Sequence, residues 1–203
     1  MPRDAQKNKE IRDTRIEQIL HSAAKVFARK GMTATKISEI AKEAKLSHGL
    51  VYHYFRSKEE IFSRLVKTAS ERSLDIVHKA TQYNGTSLEK IKWMTEKILE
   101  SIESGDGTYL FLIMIQASTS DAVPDEVREI LKGDHSNTPI SVIVPIIIAG
   151  QNEGEIVGDD PVKLAVSYYA FIQGLAINKI QWKECPMPDA DMITKILRNR
   201  EGQ

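Results

Sequence analysis

Residues 35–55, TKISEIAKEAKLSHGLVYHYF, carry the pattern that decides the fold. Ile37, Ile40, Ala41 and Ala44 recur at the three-and-four spacing of a helix with one apolar side, and polar residues fill the positions between them. This helix is about two turns long, and Thr35 is placed to cap its start. Ser47 is a strong cap for a second short helix running through Leu50 and Val51 to Phe55. Two short helices joined by a tight turn and backed by a longer one form a helix-turn-helix, whose second helix enters the major groove of DNA. In that second helix Leu46, Val51 and Phe55 can pack inward, while His48, Gly49, Tyr52 and His53 stay outward. Gly49 has no side chain to hold the helix away from base edges, and Tyr52 and His53 can donate to phosphate oxygens. Lys58, in the first turn of the next helix, adds a cation beside free helix N–H groups.

The flanking sequence supplies the support. Upstream, Ile16, Ile19, Leu20, Ala23, Ala24, Phe27 and Ala28 predict an amphipathic helix from Ile11 that Gly31 ends. Downstream, Ser57 and Glu60 read as a capping box for a long helix that stops near Asn84-Gly85. A second capping box, Thr86 and Glu89, opens a helix through Ile102, and Gly105-Asp106-Gly107 breaks the chain. Helices are expected over about 109–117, 124–131 and 140–151, and a last one behind Asp160 as cap and Pro161 at its first position. No alternating run of strand length and no internal repeat occurs, so the expected fold is all-α. It divides into an N-terminal three-helix helix-turn-helix domain, residues 1–58, and a larger helical domain, residues 59–203.

Charge and composition agree with that division. The net charge of +0 hides an asymmetry: residues 1–60 hold 13 Lys/Arg against 8 Asp/Glu, and the remainder holds 15 against 20. A basic end on an acidic body suits a duplex-binding module joined to a part that does not bind DNA. Cys185 is the single cysteine, which excludes an internal disulfide and fits a reducing cytoplasm. The charged N-terminus has no apolar signal region. The greasiest stretch, Val142–Ala149, falls well short of the roughly 18 apolar residues of a membrane span. His21, His48, His53, His78 and His135 show no metal-ligand spacing, and no catalytic motif, cofactor loop or paired-carboxylate site is evident. No cofactor and no metal are expected.

From Ile16 to Phe62 the chain resembles the tetracycline-repressor (TetR) family, with Ala24, Phe27, Gly31, Thr35, Ile40-Ala41, Ser47, Gly49, Tyr52, Phe55, Lys58 and Glu59 in the family's order and spacing. The resemblance implies a homodimer, a palindromic operator, and repression relieved when a small molecule binds the C-terminal domain. By matching position, Thr35, Ser47, Tyr52, His53 and Lys58 are expected at the DNA backbone, and His48, Gly49 and Leu50 at the bases. Lys45, also counted with the DNA-contacting set, stands where the family usually has glycine, so it must take a left-handed backbone there. Leu50, where the family often has threonine, offers an apolar contact to a thymine methyl and no hydrogen bond.

Beyond residue 62 only broad features carry over. The apolar faces of residues 140–151 and 161–182 suit pairing across a twofold axis, because a helix apolar on most sides must be covered on more than one. Trp93, Met94, Tyr109, Phe111, Met114, Tyr168 and Phe171, with Trp182, are candidates to line a largely apolar effector pocket. The alternative from another class is a helical ligand-binding or scaffolding protein without specific DNA binding.

Overall fold

A computed structural model describes residues 2–132, 138–182 and 184–199 of the chain. Among these residues it forms ten helices and no strands, an all-α fold as the sequence implies. They are α1 (Pro2–Ala34), α2 (Ile37–Glu43), α3 (His48–Tyr54), α4 (Lys58–Gln82), α5 (Ser87–Glu103), α6 (Asp106–Thr119), α7 (Asp125–Lys132), α8 (Pro139–Asn152), α9 (Pro161–Gln181) and α10 (Ala190–Thr194). His135 lies outside the described residues.

Several boundaries differ from the sequence expectation, each for a physical reason. Helix α1 reaches back to Pro2 rather than starting at Ile11, and its exposed residues 6–15 are mostly good helix formers with no apolar face to reveal them. At Gly31 the backbone leaves the helix (φ 76°, ψ 162°), a conformation open essentially to glycine alone, and a last turn runs to Ala34 beyond it. Thr35 does not cap α2. Its hydroxyl donates to the Gly31 carbonyl at 2.8 Å, and the extended Lys36 is the cap residue, its N–H donated to the Glu39 carboxylate at 3.1 Å. The Gly105 break (φ 89°) costs only one residue, so α6 starts at Asp106 rather than near Tyr109. Helix α10 was not expected. Asp189 caps it by accepting from the Met192 N–H at 2.7 Å.

The chain forms two compact units, Met1–Ala69 with Leu112–Leu131, and Ser70–Phe111 with Lys132–Gln203. These are cut elsewhere than residues 1–58 and 59–203, because the first turns of α4 complete the core under α2 and α3. In the first unit Ile19 and Phe27 of α1, Ile40 of α2, Val51 of α3 and Phe62 of α4 are almost completely buried. The Phe27 and Phe62 rings meet edge to face at 5.3 Å. Burying each ring contributes about 2–3 kcal/mol against the entropy of ordering the chain.

In the second unit Ile91, Met94, Ile98 and Ile102 of α5 pack with Ile143 and Ile147 of α8, Tyr168 and Ile172 of α9, and Ile193 near the C-terminus. Thr86 and Glu89 form the expected capping box of α5, and the Leu88 N–H is taken by Glu155 at 3.2 Å. Trp93 stacks on Tyr83 at 5.6 Å. No helix among the described residues is long and apolar enough to cross a membrane.

Candidate nucleic-acid interface

The turn that aims α3 is closed by three backbone bonds. Ala44 N–H donates to Ile40 at 2.9 Å, Lys45 N–H to Lys42 at 3.1 Å, and Leu46 N–H to Ala41 at 2.9 Å. The last two make the paired bonds of a Schellman ending, which needs a left-handed residue after the cap. Lys45 takes that conformation, φ 54°, as its place in the sequence requires. Gln18 of α1 donates to the Ala44 carbonyl at 2.8 Å, tying the turn to the supporting helix.

Ser47 then starts α3 by accepting from the Leu50 N–H at 3.1 Å, which leaves its own hydroxyl hydrogen free to donate. Val51 and Phe55 are buried and Leu46 is half-buried, so the inner side of the helix is fixed. His48, Gly49, Tyr52 and His53 are exposed, and Leu50 is half-buried between the two sides. The His48 and Tyr52 rings, one turn apart, meet edge to face at 4.9 Å. Gly49 is in open space: a Cβ there would meet nothing within 4 Å.

Thr35 and Lys58 are placed differently from the rest. Thr35 is 1% exposed and its hydroxyl is spent on Gly31, so its side chain belongs to the packed turn. The Lys58 ammonium donates to the carbonyls of Thr33 and Thr35 at 2.8 and 2.9 Å, which holds the start of α4 against the turn before α2 and leaves one N–H. Ser57 accepts from the Glu60 N–H at 3.2 Å, but Glu60 reaches back to the Arg56 N–H at 2.7 Å rather than to that of Ser57. Lys36, Lys42 and Arg56 add exposed cations that the sequence reading passed over, though each sits beside a residue it singled out.

The aromatic candidates in the larger unit separate by burial. Met94 and Tyr168 are fully buried in its core, and Trp93 and Phe111 pack half-buried against it. Thr95 donates to the Ile91 carbonyl, so the Tyr168 hydroxyl 2.8 Å away is the donor to Thr95. Burial pushes the Tyr168 and Tyr169 phenols well above their ordinary range. The Tyr169 hydroxyl lies 3.4 Å from the Pro139 carbonyl. Tyr109 is half-buried, Phe171 and Trp182 are exposed, and Met114 falls in the other compact unit. Neither Thr95 nor Tyr169 was among the candidates: threonine carries no aromatic signal, and of the adjacent Tyr168 and Tyr169 only the first was singled out.

Comparison with known proteins converges on one family. Residues 19–65 match the description "Bacterial regulatory proteins, tetR family". The fatty acid metabolism regulator protein of Bacillus subtilis (strain 168) is 28% identical over 149 residues, 73% of this chain and 74% of that protein. The transcriptional repressor KstR2 of Rhodococcus jostii (strain RHA1) is 25% identical over 169 residues, 83% of this chain and 79% of its own. The crystal structure of the TetR-family regulator PfmR from Thermus thermophilus shares the fold with a TM-score of 0.71 at 23% identity, covering 90% of this chain and 98% of that one. The matched segment spans the whole helix-turn-helix, and the relatives that the chain resembles over most of its length are regulators and repressors by name.

Proposed function

We propose that the protein acts in the cytoplasm as a homodimeric repressor of a palindromic operator, released when a small, largely apolar effector enters the helical part formed by residues 59–203. The observation that carries the reading is the outward side of α3. His48, Gly49, Tyr52 and His53 stand exposed on a helix whose inner side is locked by Val51 and Phe55. Tyr52, His53, Ser47 and Lys45 then position the helix on phosphates, and His48, Gly49 and Leu50 meet base edges. Residues 140–151 and 161–182 supply the dimer contact, a role supported by the exposed Ile148 of α8 and Val162, Val166 and Ile180 of α9. Trp93, Met94, Phe111 and Tyr168 line the effector's approach, with Tyr169 as a polar anchor. The name of the Bacillus subtilis relative supports control of fatty acid metabolism genes.

The test is to incubate the purified protein with sheared genomic DNA from its source at moderate salt and to sequence what is retained. A few enriched fragments sharing a palindrome are expected, and uniform retention would overturn the reading. On such a site Tyr52→Ala or His53→Ala should each weaken binding about tenfold, the loss of one charge-assisted hydrogen bond, and do so on every sequence. Unchanged affinity in both variants would remove these residues from the interface.

A further inference from the structure

A half-open cleft of about 320 Å³ lies within the first compact unit. Glu60, Ser63, Arg64 and Lys67 form its α4 wall, at the i, i+3, i+4, i+7 spacing of a single helix face. Ile16 of α1 and the Tyr54-Phe55 pair at the end of α3 give it an apolar side, and Glu126 of α7 a carboxylate.

Ser63 is the anomaly. It is 3% exposed, and its hydroxyl has no hydrogen-bond partner. Several hydroxyls on helices of this chain turn back to the carbonyl four residues earlier, as Thr14, Thr95, Ser118, Thr119 and Thr194 do at 2.7–2.9 Å. A buried hydroxyl left without a partner is destabilising, and native proteins retain few of them. Ser63 lines the cleft without turning its hydroxyl back to its own backbone.

The charges around it are opposed and partly uncommitted. Glu60 is held by the Arg56 N–H, whereas neither Arg64 nor Glu126 has an ion pair or hydrogen bond among the described residues. A complementary ligand therefore carries one anionic and one cationic group on a small body with an apolar side. We propose that this cleft binds a zwitterionic small molecule of the α-amino-acid class with an apolar side chain. Arg64 and the Ser63 hydroxyl donate to its carboxylate, Glu126 accepts from its ammonium, and its side chain rests on Ile16, Tyr54 and Phe55. The volume sits at the small end of ligand cavities, which suits a molecule of that size. The site shares no residue with Trp93, Met94, Phe111, Tyr168 and Tyr169 and does not depend on their proposed role.

The experiment is isothermal titration of the full-length protein with L-leucine, L-phenylalanine and L-tryptophan, with phenylacetate and phenylethylamine as single-charge controls. At least one amino acid should bind at one site per chain, ten times or more tighter than either control. Arg64→Gln and Glu126→Gln, both surface changes, should each weaken that binding tenfold or more. Ser63→Ala should weaken binding while raising the melting temperature of the unliganded protein, a pairing that a purely structural serine would not produce. Three outcomes would overturn the proposal: no amino acid in the set binds at millimolar concentration, a control binds as well as the amino acids, or binding survives undiminished in the Arg64 and Glu126 variants.

Discussion

Gly49 and Lys45 each occupy a position that backbone energetics would assign to the other kind of residue. Gly49 lies inside a regular helix where a methyl group would meet open space. Gly49→Ala should therefore raise unfolding stability by about 0.5–1 kcal/mol, the difference in helix propensity, yet weaken operator binding if the bare backbone is there to approach bases. Denaturant melts and fluorescence anisotropy on one labelled operator read both effects, and equal affinity would show that no close approach is made. Lys45 holds a left-handed backbone that glycine adopts without strain. Lys45→Gly should stabilise the fold by about 0.5–1 kcal/mol and lower the slope of log affinity against log salt by about one if its ammonium meets a phosphate. An unchanged slope would place Lys45 in the turn only. The left-handed turn was legible through the resemblance alone, because Lys45 stands where the family usually has glycine. The Thr35 cap was misread for an equally local reason: the conformation of Gly31 turns a carbonyl toward the Thr35 hydroxyl, and no propensity of threonine announces that.

At the scale of elements, apolar periodicity was a sufficient guide wherever a helix has one buried side. It failed for the first turns of α1, which are helical without an apolar face, and for α10, which is too short to show a period. Helix α9 posed the opposite difficulty, being apolar around most of its surface. The structure divides it: Ala165, Tyr168, Ile172 and Ala176 point into the core, and Val162, Val166 and Ile180 are left outside. Val166 is 49% exposed, so Val166→Glu should leave the fold intact and place a charge in the proposed dimer contact. Light scattering at micromolar concentration is expected to give a dimer for the parent chain and a monomer for the variant, with operator affinity reduced tenfold or more. A variant that remains dimeric would move the interface elsewhere.

Across the whole molecule, what could be read in advance follows how local its cause is. The helix-turn-helix is built from residues close in sequence, and its exposed and buried sides were separable before any coordinates. The charge asymmetry between residues 1–60 and the rest likewise needs only counting. The candidate pocket residues sit on helices brought together over long separations, as Thr95 meets Tyr168, and aromatic content alone could not distinguish the buried Tyr168 from the exposed Phe171. That same unevenness of burial gives the molecule two built-in optical reporters. Trp93 is half-buried and stacked on Tyr83, whereas Trp182, closing α9, is 55% exposed. Acrylamide should quench the emission of Trp182 preferentially, and Trp182→Phe should leave a blue-shifted spectrum that the quencher barely touches. If the parent protein resists quenching at high concentration and yields to it on dilution, the indole at the end of α9 is covered by self-association, and emission alone then follows the assembly of the regulator without any added label.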